Sequence, residues 1–296
     1  IRTRLVGSEM CIRDRPSTEQ LSSDLDEPPI ERDKNSPIAS SVVDDVLDNA
    51  SNTSSRQIVL ESDTLRVVID KQGGDIVEIQ MLKHLSSLES DAQPLRLLEK
   101  SPFRTYTAQS GLIGETGSNV KSARAVFSSE QNHYIDKTNT VTARLTFKDA
   151  SGVVLTKFFS LEQDSYLMSV SYEIDNQTDT SWNGVFYSQI SRDNSDDPGV
   201  EGSSFGMQSY LGTATTTEDS HYKKISFKDI AKENFRYTQE GGWISMIQHY
   251  FVSAWIPDQK STQYYFTKKS KSGLNIIGFY SNQIEVQPGN AAVVSA

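Results

Sequence analysis

Residues 166–174 read YLMSVSYEI, and this stretch decides the fold class. Tyr166, Met168, Val170, Tyr172 and Ile174 alternate with Leu167, Ser169, Ser171 and Glu173. A period of two is that of a half-buried strand with one apolar face, whereas an amphipathic helix repeats every ~3.6 residues. Working outward, the same short alternating runs recur on both sides. Upstream lie IVLES (58–62), TLRVVID (64–70), DIVEIQML (75–82), VTARLTF (141–147) and VVLTKFFSL (153–161). Downstream lie VFYSQI (185–190), QYYFTKK (263–269), LNIIGFY (274–280) and IEVQP (284–288). Turn-rich spacers such as residues 175–180 and 193–202 separate them. Many short strands at this spacing predict an all-β body, mainly antiparallel, closed as a sandwich or barrel. Gly73-Gly74 and Gly241-Gly242 read as turns that need positive φ; neither opens a helix and no GK[ST] follows, so they are not phosphate loops.

Residues 241–257, GGWISMIQHYFVSAWIP, fit two patterns. Trp243, Ile247, Tyr250, Phe251 and Ala254 fall at helical spacing, yet the segment also divides into WISMI and FVSAWI, broken at residues 248–250. Its β-branched and aromatic content favours the two strands.

The ends of the chain differ from this body. Residues 1–15 carry four Arg against two acids and the single Cys, Cys11. They lack the apolar core of a signal peptide, and VGSEMCIRDR resembles the translation of a sequencing adapter, so the string is expected to be non-native. Residues 16–55 hold nine Asp/Glu against two Lys/Arg, four Pro and no aromatic residue, a net −7. Such a stretch buries too little apolar surface to offset chain entropy and is expected to be a disordered acidic tether. The third region, residues 56–296, is the β domain. With +2 on residues 1–15, it retains −5 of the total −10.

These numbers exclude several classes of function. A chain with 29 Lys+Arg against 39 Asp+Glu has no basic footprint for nucleic acid or anionic lipid. No apolar run approaches the ~20 residues of a membrane-spanning helix. One Cys forms no internal disulfide and no Cys-based zinc cage. His84, His133, His221 and His249 form no HxH, HExxH or HxxxH pair, and no GxSxG elbow is present. Asp and Glu are everywhere but no pair stands out for glycoside chemistry. The residues therefore nominate no catalytic group, no metal ligand and no cofactor.

The segment GGWISMIQHYFVSAWIP resembles the hallmark stretch of the large periplasmic domain in the YidC family of membrane protein insertases of Gram-negative bacteria. Gly241, Gly242, Trp243, Gln248, Tyr250, Phe251, Ala254, Trp255, Ile256 and Pro257 fit that pattern. Further blocks match in the same order: LRVVID entering Gly73-Gly74-Asp75, PLRLLEKSPFRTYTAQSGLIG (94–114), the run over residues 155–176, YLGTATTTEDSHYKKISF (210–227) and VQPG (286–289). The resemblance covers residues 56–296. It implies a β-supersandwich of the galactose-mutarotase type, truncated at its C-terminal end and facing the periplasm from the inner membrane. It also implies a parent that lowers the barrier to inserting nascent inner-membrane proteins, alone or with Sec translocon components such as SecF. The transmembrane helices of that family, and the groove residues they carry, have no counterpart in this sequence.

Three roles follow. The domain docks Sec components or nascent periplasmic loops, and then exposes a sheet edge or an apolar patch. Alternatively it is a carbohydrate- or peptide-binding sandwich, with mutarotase chemistry only if a Glu and one or two His converge in a cleft. Or it is a spacer. The signature residues Gly73, Gly74, Gly241, Gly242, Trp243, Gln248, Tyr250, Phe251, Trp255 and Pro257 are apolar or turn-forming, and the expectation is that they build the core.

Overall fold

The computed structural model describes residues 28–29, 56–114, 117–120, 123–197 and 210–296. Residues 1–15, read as non-native, lie outside these, as does the acidic stretch apart from Pro28 and Pro29; Pro28 is buried. The N-terminal half supplies β1 (Gln57–Glu61), β2 (Leu65–Asp70), β3 (Asp75–Leu85), β4 (Pro94–Lys100) and β5 (Thr105–Gly114). Short pieces follow, β6 (Asn119–Val120), β7 (Ala123–Arg124) and β8 (His133–Ile135). Next come β9 (Val141–Lys148), β10 (Val154–Leu161), β11 (Met168–Asn176) and β12 (Trp182–Arg192). The last third holds β13 (Gly212–Thr217), β14 (Ser220–Ile225), α1 (Phe227–Lys232), β15 (Arg236–Glu240) and β16 (Ile244–Ile247). It ends with β17 (Val252–Trp255), β18 (Thr262–Lys269), β19 (Asn275–Val286) and β20 (Asn290–Ser295).

The strands form three sheets. A 12-stranded sheet runs β15-β18-β19-β12-β5-β4-β3-β2-β1-β8, with β6 and β7 off its path. Two 4-stranded sheets run β20-β11-β10-β9 and β14-β13-β16-β17. Nearly all neighbours are antiparallel; β1 with β8 is a parallel pair. The all-β class read from the sequence is the class observed.

The first small sheet packs on the large one along the alternation that defines β11. Val170, Tyr172 and Ile174 are buried, and the Tyr172 ring meets Phe186 of β12 edge-on at 5.9 Å. The strand starts later than YLMSVSYEI suggests. Asp164 takes positive φ, 53°, and the Ser165 hydroxyl accepts a bond from Leu167 N at 3.1 Å. That turn leaves Tyr166 and Leu167 outside the sheet and exposed. A second difference lies at residues 274–288. LNIIGFY and IEVQP are one strand, β19, kept continuous by a register shift opposite residues 185–187 of β12. The Ser281 hydroxyl accepts from Phe186 N at 3.1 Å, filling the ladder where the register slips.

The inner face of β10 carries one residue that breaks the apolar rule. Leu155, Phe159 and Leu161 are buried there, and so is Lys157. Its Nζ donates to Gly74 O at 2.7 Å, Ser110 O at 3.2 Å and Gly73 O at 3.4 Å, and lies 5.0 Å from the ring centres of both Phe159 and Tyr172. Three carbonyls and two ring faces replace the water that an ammonium loses on burial. The Gly73-Gly74 turn is shaped around this bond. Both glycines have positive φ, 76° and 63°. A Cβ on Gly74 would lie 2.9 Å from Lys157 Cδ, and one on Gly73 would collide with the Arg124 guanidinium.

Burial pushes the Lys157 ammonium down to about 7, with Arg124 acting in the same sense and Asp75 against it. In the unfolded chain the group returns to 10.5. Between these values the unfolded chain binds more protons, so stability rises with pH. Against a Lys157→Met variant, the wild type is expected to gain up to about 3 kcal/mol between pH 7 and 9.5 in urea unfolding. A pH-independent difference would refute the depressed ammonium. Lys157→Met itself strands buried carbonyls and is expected to cost ~1–3 kcal/mol at pH 7.

Candidate functional site

The residues of the segment 241–257 form a β-hairpin clasped at its base. Gly241 and Gly242 have φ of 60° and 102°, values that side-chain-bearing residues resist. Gln259 closes the base: its Nε2 donates to Gly242 O at 2.9 Å and Pro257 O at 2.7 Å, while its Oε1 accepts from Gly242 N at 3.1 Å. The Tyr265 hydroxyl donates to Gly241 O. From this base β16 and β17 pair with Ile244 opposite Trp255 and Ile247 opposite Val252. The bend closes with Gln248 N donating to Phe251 O at 2.8 Å.

The period-two alternation assigns each signature residue a side. Trp255 points in, 6% exposed, and its indole Nε1 donates to Gln189 O of β12 at 3.2 Å, fastening the hairpin to the large sheet. Gln248 and Pro257 are buried, Phe251 is half-buried against the core, and Trp243 is half-buried with its ring 6.2 Å from Tyr222. Tyr250 contradicts the core expectation: it is 82% exposed at the tip of the bend. Val252, Ala254 and Ile256 follow it on the outward side.

β17 is the edge of its sheet, and no strand among the described residues pairs with its outer side. Edge strands are ordinarily guarded by charge, proline or a bulge. Residues 248–256 contain neither Asp, Glu, Lys, Arg nor Pro. The surrounding surface also exposes apolar groups, next to the Lys83–Asp164 ion pair. His84 contacts Phe251 at 5.7 Å and Tyr166 at 5.6 Å between ring centres, and Leu85 and Leu167 beside them are 60% and 73% exposed. Three distant chain segments thus meet in one patch, a grouping that no local pattern reveals.

On the large sheet, beneath the hairpin, lies a row of polar side chains. Asp75 is ion-paired with Arg124 and accepts from Gln109 Nε2 at 2.8 Å; Gln109 Oε1 in turn accepts from Gln189 Nε2 at 2.8 Å. Burial lowers the Arg124 pKa, but the adjacent Asp75 carboxylate more than offsets this and holds it above its ordinary value. The row consists of one carboxylate, fixed by a guanidinium, and two amides that do not exchange protons near neutral pH. The histidines lie apart, His84 at the end of β3, His133 in β8, His221 in β14 and His249 in the bend. Among the described residues no three His, Cys, Asp or Glu side chains are grouped to hold a metal ion. The geometry offers an edge and a patch, both suited to contact.

Two packed sheets with a third flanking them place the chain in the galactose-mutarotase class of β-supersandwiches. A galactose mutarotase-like protein from Lactobacillus casei ATCC 334 superimposes with TM-score 0.50 over 81% of this chain and 98% of that one, at 9% identity. Within that class, residues 57–296 match the sequence model of the YidC periplasmic domain, and the chain belongs to this family. The membrane protein insertase YidC of Cellvibrio japonicus (strain Ueda107) is 39% identical over 242 residues, 81% of this chain and 43% of that protein. The membrane protein insertase YidC of Pseudomonas fluorescens (strain SBW25) is 35% identical over 289 residues, 97% of this chain and 50% of that protein. The chain spans half or less of the length of these relatives. No described helix is long and apolar enough to cross a membrane.

Trp255→Ala removes a buried ring and the Nε1 bond to Gln189, and is expected to lower stability by ~3–5 kcal/mol. Thermal melts of the purified chain check this; an unchanged Tm would remove the indole as the fastening of the hairpin.

Proposed function

We propose that this domain serves an inner-membrane insertase from the periplasmic side as a docking module, and that β17 is where extended polypeptide is received. The observation that carries the reading is the unguarded edge of residues 252–255, flanked by exposed Tyr250 and Ile256. A strand edge offers a row of N–H and C=O groups, and a segment that adds to it gains main-chain hydrogen bonds while its alternate side chains meet the apolar patch. The fitting partners are periplasmic loops of nascent inner-membrane proteins and a strand of a SecF-type Sec component. No bond chemistry is required of the domain. The parent lowers the cost of moving polar groups through hydrocarbon, which amounts to several kcal/mol for each unsatisfied group.

The polar row supports a second role, passive binding of a glycan or peptide. Asp75, Gln109 and Gln189 are hydrogen-bonding groups on a fold shared with mutarotase-like proteins. Polarimetry with galactose anomers separates binding from turnover, and a rate above buffer abolished by Asp75→Asn would establish an enzyme.

For docking, the test is charge on the edge. Val252→Lys and Ala254→Lys replace exposed side chains and are expected to leave Tm within a few degrees of wild type. In the full-length parent they are expected to weaken crosslinking to a Sec component or a stalled nascent chain by about tenfold, equivalent to ~1.4 kcal/mol. Undiminished crosslinking would rule out the edge. Full insertion after residues 57–296 are replaced by a neutral linker would make the domain a spacer.

A further inference from the structure

One face of β18 and β19 carries a strip of aromatic rings. The register sets its side: Tyr264 pairs with Tyr280 and Tyr280 with Tyr187, while Phe266 pairs with Gly278 and Gly278 with Gln189. Tyr265 and Phe279, one residue along, point the other way and join the core cluster, to which Phe266 and Tyr187 do not belong. The Tyr264 and Tyr280 rings are stacked, with centres 5.0 Å apart and planes at 10°, and Phe266 lies 6.3 Å from Tyr280. The Tyr264 hydroxyl donates to Asn282 Oδ1 at 2.9 Å, which fixes that ring. Phe266 lies over Gly278, where a Cβ would collide with it. Tyr264 and Tyr280 are half-buried, so the strip presents flat ring surface on the side that also carries Gln189 and Gln109.

The strip is framed by positive charge. Residues 259–284, which span β18 and β19, hold Lys260, Lys268, Lys269 and Lys271 and no Asp or Glu, within a domain of net −5. Lys268 follows Phe266 on the same side, Arg236 of β15 pairs with Phe266, and Lys269 and Lys271 stand at the turn between the strands. Glu240 stands at the opposite end of β15. The acidic stretch of residues 16–55 is complementary. Pro28 and Pro29 are its described residues, Pro28 buried and Pro29 half-buried. Proline is mostly exposed in folded proteins, and a buried one in a stretch this polar is packed against something outside it. Asp24, Asp26, Glu27, Glu31 and Asp33 flank the pair, against Arg32.

We propose that Pro28 and Pro29 dock on the Tyr264–Phe266–Tyr280 strip of their own chain, with the flanking acids beside Arg236 and the lysines of the β18–β19 turn. Consecutive prolines favour the polyproline II conformation, which flat aromatic surfaces receive at small entropic cost. Residues 30–55 span up to about 85 Å when extended, enough to reach the strip from β1. A tethered segment also needs little intrinsic affinity, because a flexible linker holds it at an effective concentration on the order of 1 mM. So docked, the segment lies beside Gln189 and Gln109 and screens the polar row from ligands in solution. The docking does not depend on that row being a ligand site, nor on the reading of the β17 edge.

The test uses the whole 296-residue chain with Cys11→Ser and a nitroxide on Ile30→Cys, and follows paramagnetic broadening of isotope-labelled backbone amides. Broadening is expected over residues 264–268 and 276–282. It is expected to fall at least threefold when Pro28 and Pro29 are both changed to Ala, and to weaken when salt is raised tenfold. A synthetic peptide of residues 24–33, added to chains without the label, is expected to bind the double-alanine chain at least tenfold more tightly than the wild type, whose strip is already occupied. Tyr264→Ala in the double-alanine chain is expected to abolish that binding; if it lowers Tm, Arg236→Glu, an exposed position, reads the same contact through charge. Broadening centred on any other surface, or no localised broadening, would overturn the docking. Equal peptide affinity in the wild-type and double-alanine chains would overturn it as well.

Discussion

The fold depends on how a buried lysine amine is accommodated between two sheets. Lys157 stands in the apolar register of β10, where the first small sheet closes on the large one, and its ammonium is solvated by the carbonyls of Gly73, Gly74 and Ser110. An uncompensated ammonium at that depth is untenable. The turn between β2 and β3 must therefore present its carbonyls inward, and only residues that accept positive φ without a Cβ allow it. The same turn delivers Asp75 to Arg124 and so begins the polar row that crosses the large sheet. One buried lysine thus sets a turn and the place of a hydrogen-bonded network.

The hairpin of residues 241–257 follows a different logic. It is a small element held at three points: the Gln259 clasp at its base, the Trp255 indole on Gln189 O, and Asp197, which accepts from His249 N in its bend. So fastened, it can leave the outer side of β17 uncharged, and without a partner strand among the described residues, without unravelling. An unguarded edge is an aggregation liability in a free protein. It becomes useful where an extended partner is regularly at hand, as the proposed docking role requires. The motif that identifies the family thus combines two demands, inward residues that fasten and outward residues that remain available for contact.

Much of this was legible in the residues. Period-two alternation located β2, β3, β9, β10, β11, β12, β18 and β19, and the turn chemistry of Gly73-Gly74 and Gly241-Gly242 needed no structure. Boundaries were less visible. Tyr166 continues the alternation of β11 but sits beyond a positive-φ turn, and a register slip joins two apparent strands into β19. The first is a local turn that interrupts the pattern, the second an effect of the partner strand β12 on it. Lys157 could have been flagged from LTKFFSL, where a Lys occupies a position that the neighbouring Leu155 and Phe159 mark as interior. Tyr250 went the other way, an aromatic in a signature that stands in water.

The sequence by itself determined an all-β body and the family to which it belongs, because those properties reside in periodicity and local motif. Only the tertiary structure decided where function can sit. Whether an edge is open depends on which strands find each other across more than a hundred residues. Whether a buried lysine is solvated depends on carbonyls that other segments bring to it. The apolar patch of His84, Tyr166 and Phe251 is assembled from positions far apart in the chain. Proximity of that kind is a product of packing, and no one-dimensional pattern encodes it.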